Sequence, residues 1–176
     1  IVDRRVGRDL TSEESQALAS EVNEQLRLPG ASFTLKATVE HRGALVIRTD
    51  DGTPLSAEIS NTDPAYRKEG SLGVALETFE PEVARCEPLE DTGAARRAAE
   101  LTNVFVEGSA KILDGSEVNV RRRAEGKLPG NLILTRDGDH KRESFDEGTM
   151  RLLNFTEQFL DDYLGPQLDA DDPDSR

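Results

Sequence analysis

Four cations, Arg121, Arg122, Arg123 and Lys127, fall within seven residues of the stretch VNVRRRAEGKLPGN at positions 118–131. Guanidinium forks hold phosphate and carboxylate through paired, directional hydrogen bonds, and Asn119 and Asn131 add neutral donors beside them. Anion binding is therefore the chemistry this stretch offers. A short helix limits it, because adjacent side chains diverge by about 100° and three consecutive arginines cannot all face one ligand. The competing reading is a solvated or salt-bridged helix face, and composition alone leaves both open.

Two further places carry the same chemistry. The first eight residues, IVDRRVGR, hold Arg4, Arg5 and Arg8 beside Asp3, which reads equally as an exposed arm. His41 and Arg42 sit together between two strand-like segments, where an ordinary surface loop would also place them. Asp63 lies in the turn sequence NTDP, a setting that needs no function. His41 and His140 are the only histidines and Cys86 the only cysteine, so neither a disulfide framework nor a thiolate zinc site is available.

The field of the whole chain sharpens the question. With 35 acidic residues against 22 basic ones, the formal net charge is -13. Such a chain repels polyanions, which argues against nucleic acid and anionic membrane as partners and requires any small-anion site to concentrate positive charge locally. No apolar run approaches the roughly 20 residues needed to cross a bilayer. The expected setting is cytoplasmic, and the excess of acid with few lysines fits a salt-loaded, halophilic cytoplasm. The chain opens without Met in a charged segment and reads as a piece of a longer protein.

The elements that must position these residues follow from period and punctuation. Thr11 and Glu14 form a capping box, and an amphipathic helix continues to about residue 26, where Leu28-Pro29-Gly30 breaks it. Alternation predicts strands over 32–40 and 44–49, joined as a hairpin through His41-Arg42-Gly43, and a third strand over 55–60. Residues 71–91 read as a long excursion with one short strand. Thr92 or Asp91 caps the longest helix, running to about 113, and the basic helix and a final strand over 131–135 follow it. Residues 139–164 predict a second amphipathic helix, and 165–176 an acidic disordered tail. These elements make a two-layer α/β sandwich, a small mixed, mostly antiparallel sheet covered by helices.

The ordered set IVDRRVGRDLTSEE, VEHRGALVIR, LSAEISNTDP, AAELTNVFVEGSAKIL and VNVRRRAEGKLPGNLIL resembles the inserted domain of archaeal-type cofactor-independent phosphoglycerate mutases, members of the alkaline phosphatase superfamily. The resemblance covers about residues 1–138. It implies a substrate-binding lid that presents polar groups to the phosphate and carboxylate of phosphoglycerate, from Asp3, Arg4, Arg5, Arg8, His41, Arg42, Asp63, Asn119, Arg122 and Lys127. It also implies a partner phosphatase domain with a nucleophilic serine and two divalent cations, manganese or zinc, whose ligands this chain lacks. The chain alone is then inactive. A stand-alone binding module for a small phosphorylated acid, the lid of another superfamily phosphomutase or hydrolase, and a protein-interaction domain remain as alternatives.

Overall fold

A computed structural model describes residues 1–69, 72–139 and 149–153. After a short turn at Val6–Arg8, the chain runs α1 (Ser12–Gln25), β1 (Ala31–Ala37), β2 (Gly43–Thr49), β3 (Tyr66–Glu69), β4 (Leu72–Ala75), α2 (Gly93–Asp114), α3 (Glu117–Ala124), β5 (Gly138–Asp139) and β6 (Thr149–Leu153). The main sheet has the order β1-β2-β6-β5, and β3 and β4 form a separate hairpin. Every described pairing is antiparallel. The α/β layering is as expected from the sequence.

The first helix begins where its capping box places it: Glu14 N donates to Thr11 Oγ1 at 3.2 Å and Thr11 N to Glu14 Oε2 at 3.1 Å. Leu18 and Val22 carry its apolar stripe into the core. In β1 and β2 the pairs Phe33↔Ile47 and Leu35↔Leu45 put large side chains on the face that the helices cover. The long helix α2 lies over them. Its Phe105, fully buried, meets Phe33 edge to face with centroids 5.3 Å apart, a geometry that adds to simple burial. Gly108 lets α2 approach the end of α1, since a Cβ there would lie 2.4 Å from Leu26 Cδ1.

Three expectations are corrected. Residues 55–60 form no strand of the sheet; they carry the isolated bridge Ile59↔Pro88 and hydrogen-bond to the segment at 87–89, Ser60 N donating to Glu87 O and Leu89 N to Glu58 O, both at 2.8 Å. Ser56 Oγ accepts from Glu58 N at 3.1 Å, bending the backbone, while Leu55 and Ile59 each reach the core. The side of β2 away from β1 is taken by β6. Residues 131–135 are likewise no strand, because their backbone docks on the turn at 61–63: Thr62 N and Asp63 N both donate to Thr135 O, at 2.9 and 3.2 Å. Tertiary pairing outweighs the local preference for a ladder.

At the C-terminal end, residues 149–153 pair with β2 as a strand where the sequence predicts helix. Thr, Met and Leu suit either element, and an open strand edge offers backbone partners that helical periodicity does not reveal. Asp139, at the start of the helix expected over 139–164, is likewise in a strand, paired with Arg151, and the rest of that helix, with the tail at 165–176, lies outside the described residues. β4 is a short strand within 71–91 as expected, whereas its partner β3 escaped the sequence reading because YRKE is nearly all polar, its residues alternating between half-buried and exposed. Among the described residues, no helix is long and apolar enough to cross a membrane.

Candidate functional site

A cavity of about 390 Å³ opens between the N-terminal arm, α1, the β1–β2 loop, the turn at 61–66 and the extended segment 130–136. Its floor is apolar, with Leu18, Leu35, Leu45 and Ile133 among the lining side chains, and its rim is basic. Six of the expected site residues line it together: Arg4, Arg5, Arg8, His41, Arg42 and Asp63. They come from three segments far apart in sequence. Arg136, Tyr66 and Glu40 also line it and were not singled out from the sequence.

Each segment is aimed by its backbone. Val6, Gly7 and Arg8 all adopt positive φ, 53°, 68° and 60°, a turn natural for glycine but costing a β-branched valine about 1–2 kcal/mol. Arg8 N donates to Arg5 O at 2.8 Å across it, and Asp3 accepts from Arg5 N at 2.6 Å. Asp3 itself borders an adjoining depression shared with Arg4, Arg5 and Arg8. In the hairpin loop, Thr38 N donates to Arg42 O at 2.9 Å and Arg42 N to Val39 O at 3.1 Å, with Glu40 at φ 54°. That turn brings His41 and Arg42 to the rim.

Arg4 and Asp63 are paired to each other in the cavity wall. Arg4 donates to both Asp63 oxygens, at 2.7 and 2.5 Å, and its guanidinium lies 5.1 Å from the Tyr66 ring centroid. These hydrogen bonds raise the Arg4 pKa above its ordinary value. Asp63 also closes its own turn by accepting from Ala65 N at 3.1 Å. Arg136 stacks on the same tyrosine at 4.1 Å and pairs with Asp137 at 3.4 Å.

The remaining cations divide sharply by their partners. On the surface, Arg67, Arg85, Arg96, Arg97, Arg121, Arg123 and Lys127 each sit beside a carboxylate. Among the described residues, the side chains of Arg5, Arg8 and Arg42 have no hydrogen-bond or ion-pair partner, and all three face the one cavity. In a chain of net charge -13, carboxylates are abundant, so three unneutralised guanidiniums around one hollow leave a local positive field. His41 adds to it conditionally. Its Nδ1 is buried without a hydrogen-bond partner, and burial, then the Arg42 charge, hold its pKa below the usual histidine range.

The stretch that opened the sequence reading lies elsewhere. Arg122 is fully buried: Nη1 donates to Glu14 Oε2 at 2.7 Å, Nε to Leu128 O at 2.8 Å, and Nη2 to the Asp9 carboxylate. No face of it is left for a ligand. Asn119 is buried too, donating to Leu113 O at 2.7 Å and Gly130 O at 3.2 Å and accepting from Gly130 N at 2.8 Å. Both expectations of ligand contact are corrected on this ground, since a buried, satisfied polar group is framework. Lys127 pairs with Glu125 at 2.8 Å, and Asn131 donates to Asp114 at 3.3 Å; neither lines the cavity. Because Asn119 ties the bend at 130 to the end of α2 through Leu113 O, Asn119→Ala is expected to lower stability by about 2 kcal/mol, read by urea denaturation.

The arrangement also limits its own chemistry. Among the described residues, no group of three or more His, Cys, Asp or Glu side chains is placed to hold a metal ion. The rim is chemically suited to an anion, with unpaired guanidiniums over an apolar lining among the described residues.

Comparison with known proteins places the chain among its relatives. A model of the family described as 2,3-bisphosphoglycerate-independent phosphoglycerate mutase matches residues 1–119. The chain is 45% identical over 152 residues to the protein of that description from Aeropyrum pernix, covering 84% of this chain and 36% of that one. It is 36% identical to the corresponding Pyrobaculum arsenaticum protein, covering 80% of this chain and 31% of that one. Among solved structures, the cofactor-independent phosphoglycerate mutase from Thermoplasma acidophilum is similar with a TM-score of 0.61 and 32% identity, over 78% of this chain and 32% of the other. The chain spans about a third of the length of the curated relatives it matches.

Proposed function

The chain belongs to the 2,3-bisphosphoglycerate-independent phosphoglycerate mutase family, and we propose that it is the part of such an enzyme that holds the substrate while the phosphoryl group moves between the 2- and 3-hydroxyls of glycerate. The observation that carries this is the set of three guanidiniums without partners, Arg5, Arg8 and Arg42, around one cavity. Phosphoglycerate presents a phosphate of about -1.5 to -2 charge and a carboxylate, a match in sign and number for three arginines.

Each residue then has a task that geometry can supply. Arg5, Arg8 and Arg42 grip the phosphate and carboxylate oxygens. His41 lines the same rim, its buried Nδ1 lying 3.8 Å from the Glu40 carboxylate, and its imidazole adds charge to the rim when protonated. Arg4 and Asp63 brace the wall, and Tyr66 with Arg136 forms its stacked flank. Holding glycerate in a fixed frame while it turns between two transfer steps is a positioning role, which can lower a barrier by several kcal/mol without any group on this chain reacting.

The family resemblance implies two divalent cations and a nucleophilic serine for the transfer itself. The donor set described above does not fit a metal pair. The proposal therefore assigns the metals and the serine to the two thirds of the relatives' length that this chain does not span, and makes that phosphatase part its partner.

Calorimetric titration of the chain with 3-phosphoglycerate, with glycerate and inorganic phosphate as controls, tests the reading. Saturable binding that needs both ends of the ligand, and that weakens as salt rises, is expected. Equal heats for 3-phosphoglycerate and glycerate would remove the phosphate from the site. His41 gives an independent check. Its depressed pKa means the unfolded chain takes up that proton at a higher pH, so stability falls as pH drops through the ordinary histidine range and stops falling below the folded value. A bound anion works the other way, favouring imidazolium. The NMR titration midpoint of the His41 ring is expected to move upward when saturating 3-phosphoglycerate is added; an unmoved midpoint places His41 outside the site.

A further inference from the structure

Three consecutive residues at positive φ, one of them valine, do not hold that shape unaided. The support lies directly behind them. Asp9, the next residue, is gripped twice by Arg122, through its carboxylate by Nη2 and through its carbonyl by Nη1 at 3.4 Å. The same guanidinium holds Glu14, which caps α1 by accepting from Thr11 N, and Leu128 O. One enclosed cation thus ties the residue after the strained turn to the start of α1 and to the bend beyond α3. Arg5 and Arg8, whose side chains have no partner among the described residues, flank that turn on either side.

We propose that the Arg122–Asp9 pair is a positioning device for the anion site, holding the turn at Val6–Arg8 left-handed so that Arg5 and Arg8 converge on the cavity. The inference rests on the reading that this cavity binds a phosphorylated acid, and it gives Arg122 a role in binding although it touches no ligand. If the turn relaxed to negative φ, the chain path between Arg5 and Arg8 would change and their guanidiniums would no longer share a target. Gly7 lowers the cost of the arrangement, while Val6 packs against the core from the middle of it.

Asp9→Asn tests this, since it keeps size and one acceptor while removing the charge. Two readouts are taken on the whole chain. The one-bond Cα–Hα couplings of Val6 and Arg8 distinguish positive from negative φ, and calorimetry measures affinity for 3-phosphoglycerate. In Asp9→Asn the couplings are expected to shift toward negative φ at Val6 and Arg8, with the amide spectrum of α2 unchanged, and affinity to fall on the order of tenfold. Combined with Arg8→Gln, Asp9→Asn is expected to cost less than it does alone, because part of its effect passes through the Arg8 guanidinium. Unchanged couplings, a general change throughout α2, unaltered affinity in a chain that binds, or fully multiplicative losses in the double variant would each overturn the proposal. A wild-type chain that binds no 3-phosphoglycerate would instead defeat the functional reading, and the couplings would still decide whether Asp9 holds the turn.

Discussion

Arg122→Met is expected to lower the stability of the chain by about 3 kcal/mol, whereas Arg121→Met and Arg123→Met each change it by less than about 1 kcal/mol. The three side chains are neighbours in sequence and differ only in surroundings. Arg121 and Arg123 are 57% and 38% exposed, with partners that water competes for. Arg122 is at 0% and satisfies Glu14, itself 12% exposed, Asp9 and two backbone carbonyls. Removing its charge leaves the Glu14 carboxylate partly desolvated and the Leu128 carbonyl without its donor, costs typical of a broken buried pair. Asp9, at 46% exposure, can turn to water, which keeps the estimate at the lower end. Urea midpoints of the three variants decide it, and equal midpoints would show that Arg122 is not the structural node described here.

The second large effect concerns binding. Arg8→Gln and Arg42→Gln are each expected to weaken 3-phosphoglycerate binding by about tenfold to a hundredfold, the equivalent of one lost charge-assisted hydrogen bond of about 1.5–3 kcal/mol. Stability should hardly change, because neither guanidinium has a protein partner to lose. The combination of weak binding and an unaltered urea midpoint separates them from Arg122. Loss of both together in Arg8→Gln would mean that the arginine supports the arm rather than the ligand.

How much of this was legible beforehand depends on the distance over which each feature is decided. The α1 cap involves Thr11 and Glu14, three residues apart, and the β1–β2 hairpin is closed by five residues, so local chemistry was enough. The long helix announced itself by its apolar stripe and Thr92 cap. Arg122 could not be told from Arg121 or Arg123, because its partners Asp9 and Glu14 stand 113 and 108 residues away. The failure of 131–135 to form a strand has the same origin, its backbone being claimed by the turn at 61–63 across 73 residues. Separation in sequence also hid the strength of the site. Arg5, Arg8 and Arg42 each read separately as surface residues; the fold sets them around one cavity with no carboxylate paired to them among the described residues.

The apolar floor beneath those arginines was not foreseen at all. Leu18, Leu35 and Leu45 read as core from their periodicity, and so they are, yet they also end the cavity on its inner side. A low-dielectric floor strengthens every charged contact at the rim.

The most direct test compares two triple variants in the 3-phosphoglycerate titration, one with Arg5, Arg8 and Arg42 changed to Gln and one with Arg67, Arg85 and Arg96 changed to Gln. Both lower the net charge by the same amount, but the second set is already paired to carboxylates at the surface. The account predicts that the first variant shows no saturable binding and that the second stays within about twofold of the wild-type chain, as screened surface charges should. Equal losses in the two would mean that net charge alone governs affinity, and that the cavity between the arm and the hairpin is not where the acid is held.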